Sequence, residues 1–190
     1  MDSPADPAAM TPINRLQLLE RARRPTELAT FAFAGVIGQA IAAGRRPLIR
    51  GLSEARFQKL LNEHFLLEDL FANGEEKPGL EQDDEFGDLV KLLLAHRAAP
   101  TEVDAWLAYA VASASMGENH LWQDMGLPNR KVLSDLMTRH FPALAAKNVG
   151  DMKWKKFFYR ELCQQAGVPI CKSPHCADCC DYAICFGPEE

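Results

Sequence analysis

The chain has 190 residues, a formal net charge of −5 and a hydrophobic fraction of 47%, which is enough apolar material for one well-buried core. This composition excludes a wholly disordered or fibrous chain, and the acidic balance argues against a general nucleic-acid binder, which would carry a basic excess. Five of the six cysteines lie in the fifteen residues from Cys171 to Cys185, and this cluster needs a chemical explanation.

Helical periodicity accounts for the first part of the chain. Residues 1–12 are rich in Pro and Ala and are predicted to be disordered, and a first helix is predicted around residues 16–22. A second helix, with Thr26 as its candidate cap, runs to Gly44. Because this helix is apolar on most sides, we expect it to be the central one. A third helix begins after Ser53, its predicted cap.

The helical pattern continues after a loop predicted at residues 72–86, which holds Gly, Pro and a run of acids. Alternating patterns and β-branched residues, which are typical of strands, are sparse throughout. Further helices are predicted near residues 89–96, 101–111, 119–126, 128–142 and 151–166. The sequence therefore predicts an all-α domain of about seven helices over residues 13–168, followed by a non-regular, cysteine-rich tail at 169–190.

Charge is distributed unevenly along the chain. Residues 128–164 hold eight Lys and Arg against three acids, a net charge of +5, whereas residues 75–88 hold seven acids against one lysine. On the last helix of the predicted domain, Lys153, Lys156 and Arg160 share one face. That face is the solvated side of an ordinary amphipathic helix, a docking surface, or a surface that attracts an anionic ligand or cluster nearby.

The N-terminus predicts no export or membrane insertion. Its first residues carry acids and prolines where a signal peptide would need basic residues and an apolar run. The best candidate for a membrane span, residues 28–43, is sixteen residues long and contains Thr30 and Gln39, so it is too short and too polar. We therefore expect a cytoplasmic protein with no membrane partner. In a reducing compartment, a cysteine cluster is more often a metal site than a disulfide framework.

Four cysteines of the tail follow the spacing C-x4-C-x2-C-x5-C: Cys171, Cys176, Cys179 and Cys185. Thiolates are soft ligands that favour iron–sulfur clusters, zinc and copper(I). Structural zinc sites usually have two knuckles with a longer spacer between them, whereas a run this compact is more like a ferredoxin loop. The spacing therefore favours an iron–sulfur cluster, with zinc and thiol redox chemistry as the alternatives.

The other two cysteines are interpreted differently. Cys180 directly follows Cys179, and because adjacent residues rarely ligate one small centre together, it is either spare or an alternate ligand. Cys163 lies near the end of a predicted helix and is expected to be a small buried residue, with a role in cluster exchange as the alternative.

Four ordered segments of the chain resemble the NifQ family of nitrogen fixation. They are NHLWQDMGL at 119–127, FPAL at 141–144, MKWKKFF at 152–158, and the cysteine tail closing with CFGPE at 185–189. The resemblance is clear from about residue 84 onward and looser over the helices from about residue 13. It implies a molybdenum–iron–sulfur protein that donates molybdenum for the nitrogenase iron–molybdenum cofactor, and thus a carrier rather than a turnover enzyme.

The resemblance also implies roles for individual residues and partners. The four spaced cysteines would ligate the cluster, and the recipients would be the cofactor-assembly scaffold and the nitrogenase iron protein. The molybdenum would come from molybdate or another molybdenum source. His120 and His175 are candidates for a labile ligand or a molybdate contact. As alternatives, His120 packs or caps at a helix end, and His175 is a solvated loop residue.

Two other classes of protein compete with this hypothesis. One is a zinc-stabilised helical protein-interaction module, in which the tail only staples the C-terminus. The other is an enzyme with a cysteine nucleophile, for which the sequence offers nothing beyond the presence of Cys and His. Glycine motifs that bind nucleotide phosphates are absent.

Overall fold

A computed structural model describes residues 13–67, 71–75, 84–167 and 182–189. Within these ranges the chain forms ten helices and no strand, with one isolated antiparallel bridge between Ala22 and Phe65. The helices are α1 Arg15–Glu20, α2 Leu28–Ala42, α3 Glu54–His64, α4 Asp84–Ala95, α5 Glu102–Ser115, α6 Leu121–Asp124, α7 Arg130–His140, α8 Pro142–Ala145, α9 Trp154–Gln165 and α10 Tyr182–Phe186. The predicted all-α class is confirmed. No helix of the described ranges is long and apolar enough to cross a bilayer.

Two helices that were predicted to start near residues 53 and 101 carry side-chain caps at those positions, and Ser53 is the cap that the sequence predicted. Ser53 and Thr101 accept a hydrogen bond from the backbone N–H of the third residue of α3 and α5, at 3.4 and 3.1 Å. The prediction that Thr26 caps α2 is wrong. That helix begins two residues later, at Leu28, and its N-cap is Glu27, whose side chain makes no capping hydrogen bond.

Helix α2 lies at the centre of the molecule, as its apolar sequence predicts. Ten of its fifteen residues are buried, and it packs against α1, α5 and α7. Gly35 allows the turn after α6 to approach closely, because a Cβ at this position would overlap the carbonyl oxygen of Met125. Gln39 Nε2 also donates to the carbonyl oxygen of Gln123 at 2.9 Å. Helix α6, which carries part of the recognised NHLWQDMGL segment, is thereby fixed on the core.

A histidine lies inside this core. His64 is 1% exposed, and its Nδ1 lies 2.8 Å from Thr30 Oγ1 of α2. The rings of Phe33 and Trp106 pack edge-on against it, with centroids 4.8 and 6.2 Å away. Burial lowers the pKa of His64 to about 4, so the imidazole is neutral in the folded protein at pH 7.

Helix α9 begins at Trp154 rather than near Asp151. The chain reverses at Asp151, whose φ is 52°, and Asn148 closes this turn through two hydrogen bonds to the backbone of Met152, at 2.8 and 2.9 Å. Within the tail that was predicted to be non-regular, residues 182–186 form the short helix α10. The turn and α10 together place the C-terminal segment against the start of α9.

Candidate metal-handling site

Cys185 is the one predicted cluster ligand within the described residues. Its thiol is free and half-buried on α10, where it packs against the edge of the hydrophobic core. In the ranges that the structure covers, no three His, Cys, Asp or Glu side chains converge on a metal-sized site. The remaining tail candidates lie outside the described residues: Cys171, Cys176, Cys179, Cys180 and His175.

Helix α10 is joined to the loop before α9. The backbone N–H of Lys153 donates to the carbonyl oxygen of Cys185 at 2.8 Å. The ring of Phe186 stacks on Tyr182, with centroids 4.7 Å apart, and its edge lies over Gly150, where a Cβ would stand 3.1 Å from it. These contacts place Cys185 beside the N-terminus of α9.

Glu189 attaches the C-terminal segment to the helical core. Its side chain is 4% exposed, and its Oε1 lies 3.1 Å from Arg130 Nη1 and 3.7 Å from His120 Nδ1. Arg130 Nη2 also donates to Asp151 Oδ1 at 2.8 Å and to the carbonyl oxygen of Met152 at 3.1 Å. One guanidinium group therefore binds both the C-terminal segment and the loop that precedes α9.

A cavity of about 580 Å³ opens between the start of α6, the first turn of α9 and the C-terminal segment. Three lysines and one histidine contribute to its wall: Lys153, Lys155, Lys156 and His120. His120 is the N-cap residue of α6, and its side chain is 32% exposed. We call this space the basic cavity.

The three lysines of the basic cavity differ in their partners. Lys155 Nζ donates to Asp124 Oδ2 at 2.5 Å and to the carbonyl oxygen of Gly117 at 2.7 Å. The charge of this lysine is therefore paired, and the contact holds α6 against α9. Lys153 and Lys156 have no ion-pair partner within the part of the chain that the structure describes.

Two of the three residues of the predicted basic face line this cavity. Lys153 and Lys156 line it, whereas Arg160, a turn further along α9, is exposed and lies outside its wall. Cys163 also lies on α9 and is half-buried with a free thiol, so it is less enclosed than the sequence predicts.

Neither Arg130 nor Glu189 stands out in the sequence as a site residue. Glu189 falls within the closing CFGPE segment, and Arg130 falls within the basic stretch at 128–164. Nothing in their spacing indicates that they meet, because 59 positions separate residue 130 from residue 189. The contact depends on how α7 and the C-terminal segment pack.

Comparisons with known proteins converge on one family. Residues 32–187 match the family model of NifQ. Protein NifQ of Azotobacter vinelandii is 38% identical over 155 residues, covering 75% of this chain and 80% of that protein. Protein NifQ of Rhodobacter capsulatus is 39% identical over 163 residues, covering 82% of this chain and 91% of that protein. A NifQ homolog of Sinorhizobium fredii is 36% identical over 176 residues, covering 87% of this chain and 76% of that protein. No solved structure matches the chain.

Proposed function

The chain belongs to the NifQ family of nitrogen-fixation proteins, and on that basis we propose that it binds molybdenum in an iron–sulfur cluster and donates it to assembly of the nitrogenase iron–molybdenum cofactor. The cluster is the cargo of a carrier protein in the cytoplasm. The helical domain, residues 13–168, is the scaffold, and residues 169–190 form the cluster-binding tail. The proposed ligands are Cys171, Cys176, Cys179 and Cys185.

The donor set fits a soft polynuclear centre. Four thiolates at short spacing are the ligands that iron–sulfur clusters use. Cys185 has a free thiol, and the backbone hydrogen bond between its carbonyl oxygen and Lys153 attaches it to the helical scaffold. This fixed position suits the last ligand of the series, while the other three ligands precede it on the same tail segment.

A carrier that releases its metal needs at least one coordination position that exchanges more easily than the others. We propose His120 and His175 for this position or for a contact to molybdate, because imidazole binds a range of transition metals. The location of His120 supports this proposal, because its side chain lines the basic cavity together with Ile184 of α10. Lys153, Lys156 and Arg160 would attract the anionic cargo or dock the recipient, the cofactor-assembly scaffold acting with the nitrogenase iron protein.

The family match over residues 32–187, which contains the whole cysteine series, is the observation that carries this proposal. The decisive experiment is metal analysis of protein purified without oxygen, from cells supplied with molybdate and from cells deprived of it. We expect iron in both preparations and molybdenum in the first. The Cys176→Ser chain should lose both metals, whereas the matched Cys163→Ser chain, altered outside the ligand series, should retain them.

The alternative functions predict different metal contents. About one zinc per chain without iron would overturn the cluster proposal and favour the zinc-stabilised interaction module. Iron without molybdenum, even after molybdate supply, would keep the cluster but overturn the donor role. Loss of metal in the Cys163→Ser chain would overturn the proposed ligand set.

A further inference from the structure

The first turn of α9 has an unusual charge distribution. Acidic residues are favoured at a helix N-terminus because the helix dipole is positive there. In α9 this turn holds no acid, and Lys153, at the N-cap position, makes no side-chain capping bond. Lys155 and Lys156 follow directly, so three cations lie where a helix favours them least. Local rules of this kind are broken mainly at functional sites.

The carboxylates around the basic cavity do not neutralise this charge. Asp124 is paired with Lys155, and Glu189 is paired with Arg130. Glu118, which is exposed, is the remaining acid in the cavity wall. Within the described residues, no carboxylate forms an ion pair with Lys153 or Lys156.

We propose that the basic cavity binds a small tetrahedral oxyanion, the class to which molybdate, tungstate, sulfate and phosphate belong, on Lys153 and Lys156. His120 lies at the same wall and supplies a further polar group. The volume of about 580 Å³ accommodates an oxyanion together with bridging waters, since each water takes up about 30 Å³ of liquid. The site requires no thiolate, so its chemistry differs from that of the cysteine series.

The basic cavity lies beside the backbone of Cys185, the last proposed cluster ligand. The backbone N–H of Lys153 donates to the carbonyl oxygen of Cys185 at 2.8 Å, so a residue that would hold the anion is hydrogen-bonded to the last proposed ligand residue. Only the identity of the physiological anion rests on the proposed function. On that function, molybdate binds here as the free oxyanion before molybdenum enters the cluster.

Calorimetric titration of the metal-free, full-length chain tests the proposal, with sodium molybdate, sulfate and phosphate as separate probes at low ionic strength. We expect saturable binding of at least one of these anions, with the same affinity in the Cys176→Ser chain. Lys156→Met should weaken binding about tenfold or more, the scale of one lost charge-assisted hydrogen bond. Lys156 is exposed, so this change leaves the core untouched. Lys156→Arg, which keeps the charge, should bind nearly as well as the unaltered chain.

The matched control is Lys131→Met, which removes another exposed lysine, on α7 and outside the cavity wall. Equal weakening in Lys131→Met and Lys156→Met would show diffuse attraction to a basic surface and overturn the site. Absence of saturable binding by all three anions would overturn it as well. Tighter binding of molybdate than of sulfate and phosphate would support molybdate as the anion of the proposed function, and the reverse order would overturn that assignment. Failure of the proposed function would instead appear as missing iron or molybdenum in the purified protein, which this titration does not measure.

Discussion

The carboxylate of Glu189 lies 3.1 Å from the guanidinium of Arg130 and is almost completely shielded from solvent. This ion pair joins the C-terminal segment to α7, and the same arginine binds the loop before α9. Removal of one partner from a buried pair leaves the other charge without compensation, which is costly. The position of α10, and of Cys185 within it, therefore depends on this pair.

We expect Glu189→Ala to release α10 from the scaffold while the helical core stays folded. Alkylation of Cys185 by iodoacetamide, followed by peptide mass spectrometry on the metal-free chain, should accelerate about tenfold or more, because local opening exposes the half-buried thiol. Asp135→Asn breaks only the exposed pair with Lys131 and should leave the rate unchanged. Equal Cys185 reactivity in the Glu189→Ala and unaltered chains would show that the pair does not hold α10.

Gly35 provides a test of how α6 is positioned. A Cβ there would overlap the carbonyl oxygen of Met125, a backbone atom that cannot rotate away. We expect Gly35→Ala to lower the free energy of unfolding by about 1–3 kcal/mol, as overpacking does. Urea denaturation followed by circular dichroism measures this change.

Gly87→Ala is the matched control for this prediction. Gly87 lies inside α4, and a Cβ there would meet nothing within 4 Å. Its replacement should raise the free energy of unfolding by up to about 1 kcal/mol, since alanine is the better helix former. If the two substitutions had the same effect, the close approach between α2 and the turn after α6 would be refuted.

Much of the scaffold could be predicted because its determinants are local. The all-round apolar pattern of α2 predicted its central position, and the side chains of Ser53 and Thr101 marked the starts of two helices. The helical spacing of Lys153 and Lys156 placed them on one face, which lines the basic cavity. Periods and caps are visible in a single segment of sequence.

The parts that were missed depend on contacts between distant segments. The ion pair of Lys155 with Asp124 spans 31 positions, and that of Arg130 with Glu189 spans 59, so no local pattern indicates either. Helix α10 has five residues, too few to be stable alone, and it forms where the scaffold supplies Gly150 and the backbone of Lys153. The basic cavity could not be predicted either, because three separate elements build its wall.

The buried His64 makes the folded state sensitive to acid. Its pKa is lowered to about 4 in the folded protein, mainly by burial, while Glu27 and Arg24 act in opposite directions on it. In the unfolded chain this imidazole takes up a proton near pH 6.5, whereas in the folded chain it does so only near pH 4. The free energy of unfolding is therefore highest above pH 6.5 and decreases as the pH falls toward 4. The loss amounts to about 3 kcal/mol over this interval.

Urea denaturation at pH 7.5 and pH 5 measures this effect. We expect the free energy of unfolding to fall more steeply with decreasing pH in the unaltered chain than in the His64→Gln chain, which cannot take up the proton. The variant keeps a polar group that can bond to Thr30. Identical pH dependence in the two proteins would show that His64 does not control the acid sensitivity.

The cysteine tail and the helical core are expected to be separable in stability. The residues that fill the core come from α1 to α9 and the connecting loops, while α10 contributes only Cys185 and Phe186 at its edge. Cys179→Ser should therefore abolish iron binding yet leave the helical circular dichroism and the cooperative unfolding transition nearly unchanged. If the whole chain unfolded on loss of the metal, the metal would be a structural staple, as in small zinc domains, and the role of the tail as a cargo site would be wrong. The Cys163→Ser chain is the control, because its substitution lies on α9 and outside the ligand series.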